Sequence, residues 1–173
     1  MDTVEVGALT VNAGDTGTAD AWNLDTKKVA TRGERTTGSS TTTSTVGVLR
    51  LDDIPLAAGR VYKICTSALN LDTSVDADVV RAEMRYTTDG STPTTASTAM
   101  MLGAMKLAAA AAAQPVVLQR TYSPASAETL SLLMCVNRVS GTGSVSILGD
   151  PTFPIQMWVE DGGLDPGDVA TEI

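Results

Sequence analysis

From residue 46 onward, apolar positions recur at every second residue in short runs broken by Gly, Pro, Asp and Thr. The clearest run spans residues 79–87. Val80, Ala82, Met84 and Tyr86 share one face there, and Val79, Arg81, Glu83 and Arg85 share the other. A helix would mix the two sets. Period two with a charged outer face predicts an antiparallel strand lying over a core. The same alternation places Tyr62, Ile64, Thr66 and Ala68 opposite Val61, Lys63, Cys65 and Ser67. It also points Leu130, Leu132, Met134 and Val136 inward from a long buried strand over 130–139. Further strands are predicted over 4–11, 46–51, 116–122, 144–148 and 155–159.

The punctuation agrees with strands. Asp52 to Gly59, Thr88 to Pro93 and Pro124 to Glu128 have turn composition. Gly141, Thr142 and Gly143 predict a hairpin turn joining the strand over 130–139 to the one over 144–148. Leu107 and the six alanines to Ala113 form the strongest local case for helix, because Ala has the highest helix propensity. The run is too short to stand alone and Pro115 ends it, so it predicts a short helix or a packed connection. In all, about eight or nine short strands at frequent spacing predict an all-β antiparallel sandwich, jelly-roll-like.

The first 45 residues differ. Trp22 and Leu24 are isolated large apolar residues among Thr, Gly and Asp. Such a segment buries too little surface to fold alone. The expected organisation is an extended N-terminal arm over 1–45, a sandwich over 46–162 and an acidic tail over 163–173. Residues 36–45 are nine Ser or Thr and one Gly, which suits either a flexible linker or a polar edge strand.

Composition removes most chemistry. The 173 residues contain no His, so the commonest general base and metal ligand is missing and no Ser-His-Asp or Cys-His system can form. No G-x-S-x-G elbow and no Gly-rich phosphate loop is present. No enzymatic activity, catalytic residue or cofactor is expected. The net charge of −8 disfavours nucleic acid, which needs basic patches. The start of the chain has no basic region followed by an apolar run, and no apolar stretch reaches the roughly 20 residues of a membrane-spanning helix. Cys65 and Cys135 lie in apolar strand-like runs and form no C-x-x-C pair; buried free thiols are favoured over a disulfide.

Two acidic segments could hold calcium, which favours oxygen ligands. Glu160, Asp161, Asp165 and Asp168 crowd the end of the chain, but their spacing is not that of an EF-hand loop. Asn12 to Gly17 reads as a turn. No metal site is expected at either. Trp22, Leu24 and Trp158 are the candidate anchors for subunit contact, since a lone Trp in a strand such as IQMWV marks core or interface more often than a sugar platform.

Three segments carry a family resemblance: GRVYKI at 59–64, RAEMRYTTDGSTPTTAST at 81–98, and the run from 120 to 147 that leads to MWVEDGGLDPG at 157–167. Over residues 46–167 the chain resembles small virion proteins of tailed phages, especially phages of actinobacteria, of the minor tail and capsid-decoration type. That resemblance implies a virion location, other virion proteins such as the major capsid or tail proteins as partners, and homo-oligomerisation. The implied task is decoration or stabilisation of the capsid, or a minor tail role. The alternative is a carbohydrate-binding, receptor-recognition module on a tail tip, which requires exposed aromatics and polar clusters on one sheet face.

Overall fold

The computed structural model describes residues 3–6, 9–12 and 28–165, with side chains from residue 30 onward. The architecture is all-β and antiparallel. β1 (Thr3–Val6) and β2 (Leu9–Asn12) pair as a small two-stranded ribbon. Eleven more strands follow: β3 (Lys28–Arg35), β4 (Val46–Leu56), β5 (Arg60–Thr66), β6 (Leu69–Thr73), β7 (Val79–Thr87), β8 (Ala99–Lys106), β9 (Gln114–Val116), β10 (Gln119–Tyr122), β11 (Glu128–Ser140), β12 (Val145–Leu148) and β13 (Ile155–Leu164). They form a four-stranded sheet β10-β5-β13-β3, a four-stranded sheet β4-β11-β7-β8 and a three-stranded sheet β12-β6-β9. Among the described residues no helix is long and apolar enough to cross a membrane.

The three larger sheets share one hydrophobic core. Most inward positions read from the sequence are buried, although Ala68 is exposed, Tyr86 is only half-buried, and Cys65 and Cys135 of the opposite faces are buried as well. Val80, Ala82 and Met84 of β7 are fully enclosed, as are Leu130, Leu132, Met134 and Val136 of β11. Met84 and Met134 are direct cross-strand partners. Opposite them lie Tyr62 and Ile64 of β5 and Ile155, Met157 and Val159 of β13. Full burial of side chains of this size contributes about 1.5–3 kcal/mol each relative to exposure.

Of the two alternatives for residues 107–113, the structure has the packed connection, made of bends and a turn, and not the helix. Leu107 exchanges backbone hydrogen bonds with Ala77 and Asp78, the Ala110 N–H donates to Asp76 Oδ1 at 2.6 Å, and the Ala111 N–H donates to the Thr73 carbonyl at 2.9 Å. These partners outweigh Ala propensity in a run too short to nucleate. Other expectations require correction. The turn at 141–143 does not fold β12 back on β11; β12 pairs with β6 in another sheet. The outer face of β7 is not uniformly wet either. Glu83 is 2% exposed, held by Arg85 at 2.9 Å and Arg81 at 3.7 Å, and it lies opposite Cys135 of β11. The flanking guanidiniums provide the pairing that a buried carboxylate demands.

Within residues 1–45, β3 pairs with β13 along its length and completes a sheet. It has no large apolar side chain beyond Val29, so no hydrophobic alternation announces it. Gly33 lies so close to β4 that a Cβ there would fall 2.6 Å from Leu51 Cδ2. Of residues 36–45, only Thr42 makes a bridge, to Val145, and the Ser39 N–H donates to the Ile147 carbonyl at 2.8 Å. The segment is thus an irregular connection laid along β12.

Candidate docking face

Trp158 sits on β13, whose odd-numbered residues Ile155, Met157 and Val159 are buried. Alternation therefore turns Trp158, Gln156 and Glu160 to the outer face of the β10-β5-β13-β3 sheet. Register builds a row straight across that face: Gln119 of β10, Cys65 of β5, Trp158 of β13 and Arg32 of β3. The next row contains Thr121, Lys63 and Glu160.

The face carries polar links, two within a strand and one, Gln156 to Glu34, between β13 and β3. The Trp158 indole Nε1–H donates to Glu160 Oε1 at 2.8 Å. Gln156 Nε2 donates to Glu34 Oε2 at 3.0 Å, and Arg32 donates to the same oxygen at 3.0 Å. The indole is half-buried and fixed by its one polar handle. Beneath this surface Cys65 is buried opposite Trp158. Burial pushes its thiol pKa up, against the pull of Lys63.

At one end of the face, beside Gln156, lies an open depression of about 420 Å³ lined by Ser67, Asn70, Thr152, Phe153, Pro154 and Gln156 among others. Phe153, the only Phe in the chain, is 67% exposed there. The loop that presents it is anchored by Asp150, whose Oδ1 accepts the N–H groups of Thr152 at 2.7 Å and Phe153 at 3.0 Å. In the sequence Pro151 and Pro154 bracket Phe153 and set it outside the strands, but nothing there marks it as a site residue.

The acidic cluster is occupied differently from a metal site. Asp161 forms a two-oxygen fork with Arg60, at 2.9 to 3.1 Å, and accepts the Gly163 N–H at 2.9 Å. Glu160 accepts from Trp158, and the Asp165 backbone N–H donates to the Gly59 carbonyl at 2.8 Å. Asp168 lies outside the described residues, as do Trp22, Leu24 and residues 13–17 of the turn that starts at Asn12. Among the described residues no three Cys, Asp or Glu side chains gather as metal ligands. Both cysteines are buried and unbonded, and they sit on outer faces of different sheets.

The family described as Fn3 associated matches residues 74–173. No curated protein matches the chain. Among solved structures, one described as "CBM4 structure and function" is 12% identical, covers 75% of this chain and 82% of its own, and has a TM-score of 0.36. The VP2 subviral particle of infectious bursal disease virus is 12% identical at a TM-score of 0.43, covering 94% of this chain and 43% of the viral one. A chain from the structure of the Gx strain of that virus is 13% identical at 0.38, covering 96% and 42%. The chain therefore spans less than half the length of these viral proteins.

Proposed function

The chain belongs to the Fn3-associated family, and from that premise we propose that it is a non-enzymatic structural protein on the exterior of a tailed-phage virion. In this reading it binds neighbouring capsid or tail subunits through the outer face of the β10-β5-β13-β3 sheet, as a decoration protein or a minor tail component. The observation that carries it is the row Gln119, Cys65, Trp158 and Arg32. Trp and Arg are residue types enriched at the energetic centre of protein contacts, and Trp158 and Arg32 are neighbours on this outer face. The phage setting rests on the resemblance over residues 46–167.

The test is incorporation. Trp158→Ala removes the anchor from an outward position and leaves the core side chains in place. Particles assembled with this variant should carry far fewer copies by quantitative mass spectrometry than wild-type particles, while the isolated variant keeps its circular dichroism spectrum. Incorporation at wild-type copy number would overturn the assignment of this face. The wild-type copy number also separates a shell component, present many times, from a tail component, present a few times.

One observation favours a second reading, a carbohydrate-binding module on a tail tip. Phe153 presents an aromatic face beside the neutral polar side chains of Ser67, Asn70 and Gln156. That combination suits a sugar, with one apolar face and several hydroxyls. Titration with a panel of neutral oligosaccharides decides it: binding that Phe153→Ala abolishes supports this reading, and no binding by any member removes it.

A further inference from the structure

The free edges of the three larger sheets are not equally protected. β3 carries Lys28, Arg32, Glu34 and Arg35. β4 carries Arg50, Asp52, Asp53 and Pro55, with Asp53 in the left-handed region at φ 56° and a register shift nearby. β10 and β12 are four residues long, and β9 has three residues including Pro115. Charge, proline, irregular backbone and shortness are the devices by which sheet edges resist pairing. β8 has one irregularity, a register shift against β7 at Met100, and none of these devices from Met101 to Met105. It runs eight residues as Ala-Met-Met-Leu-Gly-Ala-Met-Lys, with Lys106 at its end as the sole charge. Leu102 is 57% exposed on it.

The direction of the β8 main chain follows from its hydrogen bonds. The Leu107 N–H and C=O bond Asp78 and Ala77, so Leu107 faces β7. Alternation then turns the N–H and C=O groups of Lys106, Ala104, Leu102 and Met100 away from β7, toward the free edge. The Met100 carbonyl fits this direction, since it accepts a hydrogen bond from the Arg120 guanidinium. Arg120 therefore closes one end of the edge, and the stretch from Leu102 to Lys106 is open for pairing.

We propose that a second copy of this chain pairs there, β8 against β8, antiparallel about a two-fold axis at Gly103. The strand is its own complement in that register. Leu102 of each copy faces Ala104 of the other, and both residues direct their main-chain groups across the join. Lys106 lies opposite Met100, whose carbonyl Arg120 already occupies, so Leu102 and Ala104 carry the main-chain pairing. The exposed Leu102 side chains gain apolar neighbours across the dyad on the outer face of the sheet, and β4-β11-β7-β8 continues into an eight-stranded sheet. An isologous contact of this kind is closed and makes a dimer, not a filament. It is smaller than a standard interface of about 1,600 Å², so it exchanges quickly and gains strength when copies are held together on a particle. The proposal stands independently of the Trp158 docking face.

Sedimentation equilibrium of the full chain from about 10 μM to about 1 mM tests it across the range where weak dimers populate. The expected result is an average mass that climbs toward that of the dimer. Ala104→Pro deletes an outward donor without touching the bonds to β7, and Leu102→Lys places a charge at the join. Both variants should remain monomeric over the range, with melting temperatures near wild type. Should Ala104→Pro fail to fold, Leu102→Lys decides alone, because it alters an exposed side chain. Trp158→Ala should dimerise as wild type does. A wild-type protein that stays monomeric throughout, variants of β8 that associate like wild type, or loss of association in Trp158→Ala would each overturn the proposal.

Discussion

The carboxylate of Asp78 accepts the backbone N–H of Gly143 at 3.0 Å, joining the start of β7 to the far end of β11 across 65 residues of chain. The same carboxylate accepts the Thr142 N–H at 3.0 Å and the Thr73 hydroxyl at 2.6 Å. Asp78 is 1% exposed, and there is no room around it. A Cβ on Gly141 would fall 1.7 Å from its Oδ1, and Gly141 has φ 106°. This knot turns the chain out of β11 and delivers β12 to β6. It explains why a turn that reads as a simple hairpin is a crossing between sheets.

The knot should make the protein acid-sensitive. The Thr73 hydroxyl, followed by the Thr142 and Gly143 amides and the nearby Arg138 charge, lowers the Asp78 pKa against the opposing effect of burial. A lowered folded-state pKa means that stability is fully present above the ordinary carboxylate pKa and is lost as pH falls through the folded value. Asp78→Asn should be less stable than wild type at neutral pH, and the gap should narrow in acid. Urea midpoints measured across the acid range would show this, and a gap independent of pH would refute it.

Gly141→Ala should destabilise without any change of charge. It combines a left-handed backbone position, costing about 1–3 kcal/mol for a residue with a side chain, with a direct clash against Asp78. The measurement is the urea midpoint at neutral pH, with Gly59→Ala as a control. Gly59 has φ 71° and nothing near its missing Cβ, so it should show the backbone effect alone.

Met84→Asp and Met134→Asp should each cost about 3–5 kcal/mol, the scale of an unpaired charge in a sealed interior. The two side chains oppose each other across β7 and β11, so the double variant should not be additive. Equilibrium denaturation of the three proteins tests both statements.

Neither thiol should react in the folded protein. Burial, with Glu83 adding to it, pushes Cys135 up to about 11, and burial also raises Cys65. Thiolate is the reactive form, so a disulfide reagent at about pH 8 should label both sites only after denaturation. Rapid labelling of one thiol in the native state would show that its sheet opens locally.

Millimolar calcium should leave the melting temperature unchanged, because Asp161 is committed to Arg60 and Glu160 to Trp158. Removing residues 1–27 should leave the sandwich folded, whereas removal through Arg35 should destabilise it by stripping β3 from β13. Thermal unfolding of the full chain with and without calcium, and of the two truncations, checks these outcomes.

The sequence alone determined which residues face the core. In β7 and β11, apolar residues at alternate positions leave one arrangement that buries them, and Met84, Leu132 and Met134 are where that arrangement puts them. It left Trp158 open between core and interface, and the structure turns it outward because the core takes Met157 and Val159 on either side. Only the tertiary structure decided what lacks a local pattern. β3 has no hydrophobic alternation and becomes a strand because β13 offers it an edge. The alanine run is not a helix because Asp76, Thr73, Ala77 and Asp78 capture its ends. Glu83 is buried because guanidiniums two residues away on either side lie along its own strand, and Cys135 from β11 faces it. Local propensity and periodicity are properties of neighbours in the chain. Partner strands, buried ion pairs and the Asp78 knot depend on residues far apart in sequence, and their energies exist only once the sheets have met.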